Sequence, residues 1–499
     1  MLPAGAAADP RSGKAEGAVS EEVGAPPEGD EPGARPTGRA RRLGAFALAA
    51  LVVLCGITLV LGFVNKNRCT GPEFDEFGRS GPDYDLRSKQ DVCYSDIQFL
   101  WIGRDIDRHV FPYVNGKLNE DGQPVGGVVE YPVLTGVVIW ASALLAQTDA
   151  EFLLLSALVL APFGLVTAWM LGRLSGWRAL LWAVGPPLVL YAFHNWELPV
   201  VLCAVAAVYV VHRGWGRRGV ERPLLTRATV AAVLLGLGFA FKVYPAIFVL
   251  PLMLYVLTGG RDGREFAGRV TRWTLDWFGA LRVALVALGT AVAANVPFAV
   301  AGFEGWQASF TFQLLRKADI TTNSIWFWGL RPDSDSDNTG VQELIGALSP
   351  TLMLLSFVVA CALGWLRYQK EGTYPWIAVS AAMLCGFLLL HKVHSPQYTL
   401  WLVPMFVLMR VRWGWVVAYL VADLAMGIGI FRWFYEIFYG SHGGIYDGLA
   451  AQAVMVGVWG RAALLVGLFY AFLVARSTVD DDPLPEEPRT PAEIGTRSP

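Results

Sequence analysis

The strongest constraint on this chain is repetition. Apolar runs recur from residue 43 to residue 474, divided by short polar stretches. They lie near 43–64, 150–172, 179–193, 197–212, 228–241, 244–258, 276–299, 349–366, 374–390, 397–411, 412–430 and 451–474. A helix needs about 20 apolar residues to cross the hydrocarbon of a bilayer, and many of these runs approach that length. With 54% hydrophobic and only 16% charged residues, a soluble domain of this size could not hide its apolar surface. The pattern predicts an all-α polytopic membrane protein of about 12 transmembrane helices, some of them shorter than a perpendicular span requires.

Charge placement gives direction. Arginines fall in alternate loops: Arg173 and Arg178; Arg213, Arg217, Arg218 and Arg222; Arg261, Arg264, Arg269 and Arg272; Arg367 with Lys370; Arg410 with Arg412; and Arg476. The positive-inside rule makes these loops cytoplasmic, and twelve spans satisfy all of them with both termini inside, in a plasma (inner) membrane. Residues 131–147 are apolar enough to cross, yet a crossing there would invert everything downstream. They read as a re-entrant or interfacial helix; thirteen spans with a further break elsewhere is the alternative. Residues 1–42, rich in Ala, Gly, Pro and Glu and ending in Arg39, Arg41 and Arg42, read as a disordered cytoplasmic tail. Residues 476–499, with Asp480, Asp481, Asp482, Glu486 and Glu487, read as a second, acidic one. The domain between them is 43–475, with 65–130 as a large first extracytoplasmic loop carrying interfacial helices. No basic domain points to nucleic acid; membrane lipids are the expected surroundings.

With that orientation, the remaining polar clusters share the outer side. Ionisable groups at membrane depth are expensive unless they line a wet cavity or bind something. Residues 95–109 have apolar positions at roughly helical spacing and predict an amphipathic interfacial helix, with Asp96 at its N-terminal end. There a carboxylate is either a helix cap (Ser95 being the other candidate) or a functional acid. Asp105 and Asp107 lie on the same segment. Glu130-Tyr131-Pro132 reads as a helix entrance or a binding element. Lys242, inside a long apolar stretch and followed by Tyr244-Pro245, either snorkels to the interface or meets an anion such as phosphate. Arg316, Lys317 and Asp319 precede Thr321-Thr322-Asn323-Ser324, which suits a sugar or phosphate surface as well as a solvated loop. Lys392 and His394 suit phosphate better than metal, because no carboxylate or cysteine lies at ligand spacing; no cofactor is required and a divalent metal is not expected. Cys69 and Cys93 share the first loop, where an oxidising compartment permits a disulfide, two unlinked thiols being the other reading.

The ordered set Tyr94-Ser95-Asp96, Phe111-Pro112-Tyr113, Glu130-Tyr131-Pro132, Asn195-Trp196-Glu197, Lys242-Val243-Tyr244-Pro245, Asn295-Val296-Pro297-Phe298, Arg316 to Trp326 and Lys392 to Tyr398 resembles glycosyltransferase family 87 over residues 43–475. The sequence departs from the family where Val133 follows Pro132, where Ser395-Pro396-Gln397 follows His394, and where Glu197 stands in place of the commoner Asp. The resemblance implies a GT-C-like bundle. It also implies transfer of a sugar, mannose as first guess, from a polyprenyl-monophosphate donor to a lipid or glycan acceptor, with inversion. On that reading Asp96 is the general base, and Lys242, Arg316, Lys392 and His394 meet the donor phosphate. Glu130, Tyr131, Asn195, Glu197, Tyr244, Asn323 and Tyr398 meet sugar or acceptor hydroxyls. A lipid-linked-sugar flippase or transporter would place ionisable groups at the midplane, often with inverted repeats. A surface-polysaccharide polymerase or ligase would favour a large late loop rather than a large first one.

Overall fold

The computed structural model describes residues 43–213, 223–260, 275–331, 333–334, 339–440 and 446–481. The tail 1–42, the acidic tail from residue 482, and Arg217, Arg218, Arg222, Arg261, Arg264, Arg269 and Arg272 lie outside the described residues.

The protein is a largely membrane-associated helical bundle. Among the described residues, seven helical segments are long and apolar enough to cross a bilayer: Ala45–Asn67 (α1), Asp149–Ala183, Leu224–Phe241, Trp277–Ala301, Thr339–Glu371, Trp413–Tyr439 and Gly448–Val474. The other five expected spans, near 179–193, 197–212, 244–258, 374–390 and 397–411, are shorter or broken. Pro186–Tyr191 is a short helix, Leu198–Arg213 has 16 residues, Trp376–Leu390 has 15, and Thr399–Leu408 has 10. Tyr244–Leu257 begins as a tight turn around Pro245. Enclosure explains why these segments can be short. Every residue of Thr399–Leu408 is buried, as are Trp376 to Leu388, so neighbouring helices and not lipid surround them. By contrast only 22% of the central window of Trp277–Ala301 and 17% of that of Thr339–Glu371 is buried, with Leu281, Leu285, Leu288, Leu354, Leu355 and Val358 turned outward. Those helices form the periphery and must match the hydrocarbon themselves.

The ends of these elements fall into two groups. One face gathers Lys66, residues 68–132, Gly78 with Asp149, and the turns at 193–197, 241–243, 314–324 and 391–398. Bonds such as Asp96 N–H to His194 O (2.8 Å), Thr135 Oγ1 to Phe241 O (2.7 Å), Gln313 Nε2 to Glu130 O (2.6 Å) and Asn323 N–H to His394 O (2.9 Å) stitch it together. The opposite face carries basic side chains on helix-end carbonyls. Arg178 donates to Phe406 O and Met409 O, and Arg367 to Leu473 O and Ala475 O, the favourable placement for cations at helix C-termini.

The first loop is tied by a Cys69–Cys93 disulfide. It also adds β-structure to the expected all-α fold: two small antiparallel hairpins, Glu73–Phe74 with Ser80–Gly81 and Lys117–Leu118 with Pro124–Val125. The expected helix over 95–109 is shorter, Asp96–Gly103. Asp105 and His109 adopt positive φ (55° and 56°), and Asp105 Oδ2 accepts the Gly126 N–H at 2.8 Å, so a tertiary contact turns the chain out of the helix. Residues 131–147 form the helix Val133–Ala143. Both of its ends meet the first loop: Tyr113 OH donates to Tyr131 O (2.9 Å) before it, and His109 Nε2 bonds Ala146 O (2.9 Å) after it. Both ends of the segment are thus held by one stretch of the first loop, residues 109–113.

Deeper in the bundle lies a second charged pair. Asp423 and Arg461, on Trp413–Tyr439 and Gly448–Val474, are 3.6 Å apart with side chains 1% and 3% exposed. Asp423 also accepts from Tyr191 OH (3.1 Å) and from Thr399 Oγ1.

Candidate active site

Ser95, not Asp96, caps the helix. Its Oγ accepts the Ile97 N–H (3.2 Å) and donates to Phe193 O (2.7 Å). That leaves the Asp96 carboxylate, on the first helical residue, to turn toward residues 194–195 on the positive end of the helix. Asn195 Nδ2 donates to Asp96 Oδ2 (2.7 Å) and to the Tyr131 hydroxyl (2.8 Å). Asn195 Oδ1 accepts from Lys242 Nζ (3.1 Å) and from Trp196 N–H (2.6 Å). The amide orientation thus follows from its neighbours: its NH₂ meets a carboxylate and its oxygen meets an ammonium.

Lys242 is where the helix Leu224–Phe241 breaks into extended backbone. Its ammonium pairs with Glu197 Oε1, and Glu197 Oε2 accepts from Trp401 Nε1 (2.6 Å). Glu197 is wholly enclosed and satisfied on both oxygens, whereas the Asp96 side chain keeps 21% exposure. Lys242 also lies 5.1 Å from the Tyr131 ring centroid and 5.9 Å from that of Tyr398, which adds cation–π attraction. Tyr398, Trp401 and Tyr244 stack in one column with centroid spacings of 4.0 and 4.3 Å. Tyr244 is the buried end of that column, and Tyr398 is the end nearer the surface.

Burial holds the Asp96 carboxyl above the usual carboxylate range. The hydrogen bonds from Asn195 and Tyr94 and the charges of Lys242 and Arg316 pull the other way. Arg316, at the end of the helix Phe303–Leu315, thus acts on Asp96, and it acts also on Tyr398, His391 and Lys392. Lys392 donates to Leu314 O (3.0 Å), which sets it beside the Arg316 turn. Lys242 and Arg316 thus act on one carboxylate and Lys392 lies beside Arg316, an arrangement able to hold an anion near a proton acceptor.

Other candidates sit differently. His394 is buried, and burial with the nearby charge of Arg461 holds its imidazole well below the usual range. Its Nδ1–H donates to Leu388 O (3.0 Å), so Nε2 is left as an acceptor with no partner and offers no proton to a phosphate. Glu130 pairs with Arg104 (2.7 Å) instead of joining the Asp96 group. Asp105 is engaged by Arg108 (3.3 Å) and Gly126, away from Asp96. Asn323 is buried with its Oδ1 unpartnered, and its backbone N–H bonds the Lys392–His394 segment at His394 O. No group of three or more His, Cys, Asp or Glu able to hold a metal occurs among the described residues.

The structure adds roles that sequence reasoning did not assign. Lys66, in the last turn of α1, is buried and donates to Tyr94 O (2.7 Å). His194 Nε2 stands 3.9 Å from Asp96 Oδ2. Trp401 anchors Glu197. A lysine ending an apolar run and a tryptophan inside one carry no sequence signal that separates these roles from interface anchoring and packing.

Residues 200–439 match the family described as Mannosyltransferase (PIG-M). The chain is similar to GPI mannosyltransferase 1 of Saccharomyces cerevisiae, 26% identical over 236 residues, which is 46% of this chain and 55% of the yeast protein. The chain thus spans about half the length of that relative. It also resembles the apo oligosaccharyltransferase of Archaeoglobus fulgidus at 12% identity and a TM-score of 0.36, covering 85% of this chain and 56% of that one. The family match takes in Lys242, Arg316, Lys392 and Tyr398. Asp96, Asn195 and Glu197 precede it.

Proposed function

Because residues 200–439 match the family described as Mannosyltransferase (PIG-M), we propose that this chain is a GT-C-like mannosyltransferase that transfers mannose from a polyprenyl-monophosphate donor to a hydroxyl of a lipid or glycan acceptor, with Asp96 as general base. The observation that carries the reading is the contrast between two neighbouring carboxylates: Glu197 is neutralised by Lys242 and closed off, while Asp96 is held by neutral donors and remains partly open. A carboxylate in that state can accept a proton from an attacking hydroxyl.

In the proposed reaction the acceptor oxygen attacks the anomeric carbon as the bond to the phosphate oxygen breaks, with inversion. The proton passes to Asp96, and the bonding pair leaves on the lipid phosphate. Lys242, Arg316 and Lys392 offset the charge that develops there. With three cations available, the step needs no divalent metal. Tyr131, Tyr398 and Asn323 are the proposed sugar and acceptor contacts, while Asn195 and Glu197 hold Asp96 and Lys242 in place. We further propose a GT-C-like arrangement of twelve passes, the five short enclosed segments completing the seven long ones. Both termini then lie in the cytoplasm, and the site faces the extracytoplasmic side of the plasma membrane.

The test is transfer of labelled mannose from polyprenyl-phosphate mannose into a membrane-lipid extract by the purified protein in nanodiscs, beside Asp96→Asn. Label entering a new lipid with wild type alone is the expected result. Equal transfer by both proteins would remove Asp96 from the role.

A further inference from the structure

The position of residue 194 is held by backbone bonds that do not depend on its ring. Asp96 N–H donates to His194 O (2.8 Å), and Ser95 Oγ donates to Phe193 O (2.7 Å). These bonds fix residues 193–194 against 95–96 whatever side chain stands at 194. The imidazole then lies among Tyr94, Tyr191 and Phe431, with centroids 5.6, 6.3 and 5.7 Å away. Its Nε2 is 3.9 Å from Asp96 Oδ2. Its Nδ1 is 3.1 Å from Tyr94 O and 3.4 Å from Lys66 Nζ.

Those distances select a tautomer. A carbonyl oxygen only accepts, so the shorter Nδ1 contact requires the proton on Nδ1. Lys66 does not need the imidazole as acceptor, because it already donates to the same carbonyl at 2.7 Å. With Nδ1 protonated, the neutral ring has a bare electron pair on Nε2. Burial and the charges of Lys66 and Lys242 keep the ring neutral.

We propose that His194 is a positioning residue for the base, turning an electron pair, not a proton, toward Asp96 and so favouring uptake of the acceptor's proton. Facing the ionised carboxylate, that electron pair offers no hydrogen bond and is mildly repelled. Once Asp96 takes the proton, the charge facing Nε2 falls. With the proton on Oδ2, the O–H dipole faces the Nε2 electron pair across 3.9 Å, a favourable electrostatic contact. On either oxygen the interaction improves between ground state and transition state, which is the kind that accelerates a step. Asn195 and Lys242 act in the opposite sense, stabilising the ionised base, so His194 offsets them. The other groups facing this pair are Lys66 from α1, Tyr94 and Tyr131 from the first loop, Tyr191, Glu197, Arg316 and Tyr398.

This inference rests on Asp96 as base, so the experiment separates the two. The protonated-carboxyl infrared band that disappears in Asp96→Asn is titrated in wild type and in His194→Gln, and transfer from polyprenyl-phosphate mannose is measured on the same samples. Glutamine presents an amide donor where the electron pair stood. The expected result is a titration midpoint displaced to lower pH in His194→Gln, a kcat lower by roughly tenfold, and an unchanged KM for the donor. A midpoint that stays, with or without loss of rate, reduces His194 to packing. A midpoint that rises means that His194 donates to Asp96, and the proposal is wrong. Should His194→Gln not fold, His194→Asn carries the same readout. Undiminished transfer by Asp96→Asn would overturn the base assignment instead, whatever the titration shows.

Discussion

Two charged clusters built from the same parts sit at different depths of one bundle. Around Asp96 are an ammonium, a guanidinium, tyrosines and an amide; around Asp423 are a guanidinium, tyrosines and a threonine. Asp423 is fully enclosed, 3.6 Å from Arg461, and joins three helical segments through Tyr191, Thr399 and Arg461. Asp96 is bonded by neutral groups, lies near its cations without pairing to them directly, and is 21% exposed. The difference lies in what has been withheld. A carboxylate tied directly to a cation in a closed site holds helices together, because separating the pair in a low-dielectric setting is costly. One whose cations are set one group away remains free to change its protonation state.

Several variants would break or sharpen that contrast. Asp96→Asn should lose transfer by about 10²–10⁴-fold while its thermal midpoint in detergent stays at the wild-type value. Asp423→Asn should do the reverse. It leaves Arg461 uncompensated and should lose about 3–5 kcal/mol of stability, while the folded fraction transfers at the wild-type kcat. If folded Asp423→Asn also loses transfer, the division between the clusters fails. Cys69→Ser opens a tie between positions 24 residues apart, worth about 3 kcal/mol in the unfolded-chain account. Because Cys93 stands three residues before Asp96, this variant should lose both thermal stability and rate, unlike either of the others.

The acid limb of the pH profile is a finer test. Since the base must be ionised and burial raises Asp96 from the ordinary value of 3.8, transfer should fall away at a pH above the ordinary carboxylate range. Arg316 lowers this pKa, so Arg316→Gln should move the limb upward. The stability sign is the opposite of the activity sign. A carboxyl with a raised folded pKa contributes stability below its unfolded value, and that contribution is lost as pH rises through the folded one. A limb that does not move in Arg316→Gln would place Arg316 outside the electrostatic reach of the base. The smallest effect is expected at Glu371, 2.9 Å from Arg367 on the opposite face and 47% exposed. Glu371→Gln should change stability by at most about 0.5 kcal/mol and leave transfer unaltered.

Much of the architecture is legible in the sequence because lipid and water act on single residues. The seven long helices follow from run length, and the short helix Val133–Ala143 follows from the apolar run at 131–147. The short enclosed helices are harder. Thr399–Leu408 is as apolar as a peripheral span, and only its neighbours explain why ten residues suffice. Site residues divide in the same way. Asp96, Asn195, Glu197 and Lys242 stand out as polar groups beside apolar runs. That Asn195 bridges Asp96 to Lys242, that Ser95 takes the capping role, and that His394 points to Leu388 O are facts of tertiary geometry. His194 stands beside residues that sequence reasoning selects, yet its proximity to Asp96 depends on a backbone bond between segments about a hundred residues apart.

That separation has a consequence for how the protein is made. Asp96 and Asn195 are 99 positions apart, and at ribosomal rates of about 5–20 residues per second the carboxylate emerges roughly 5–20 s before the amide that holds it. Through that interval the first loop has its own disulfide partner but not its clamp, and the segments that carry Lys242 and Arg316 come later still. The nascent protein can therefore close its first-loop disulfide early, whereas the cluster around Asp96 is complete only after the segments that carry Asn195, Lys242 and Arg316 have followed.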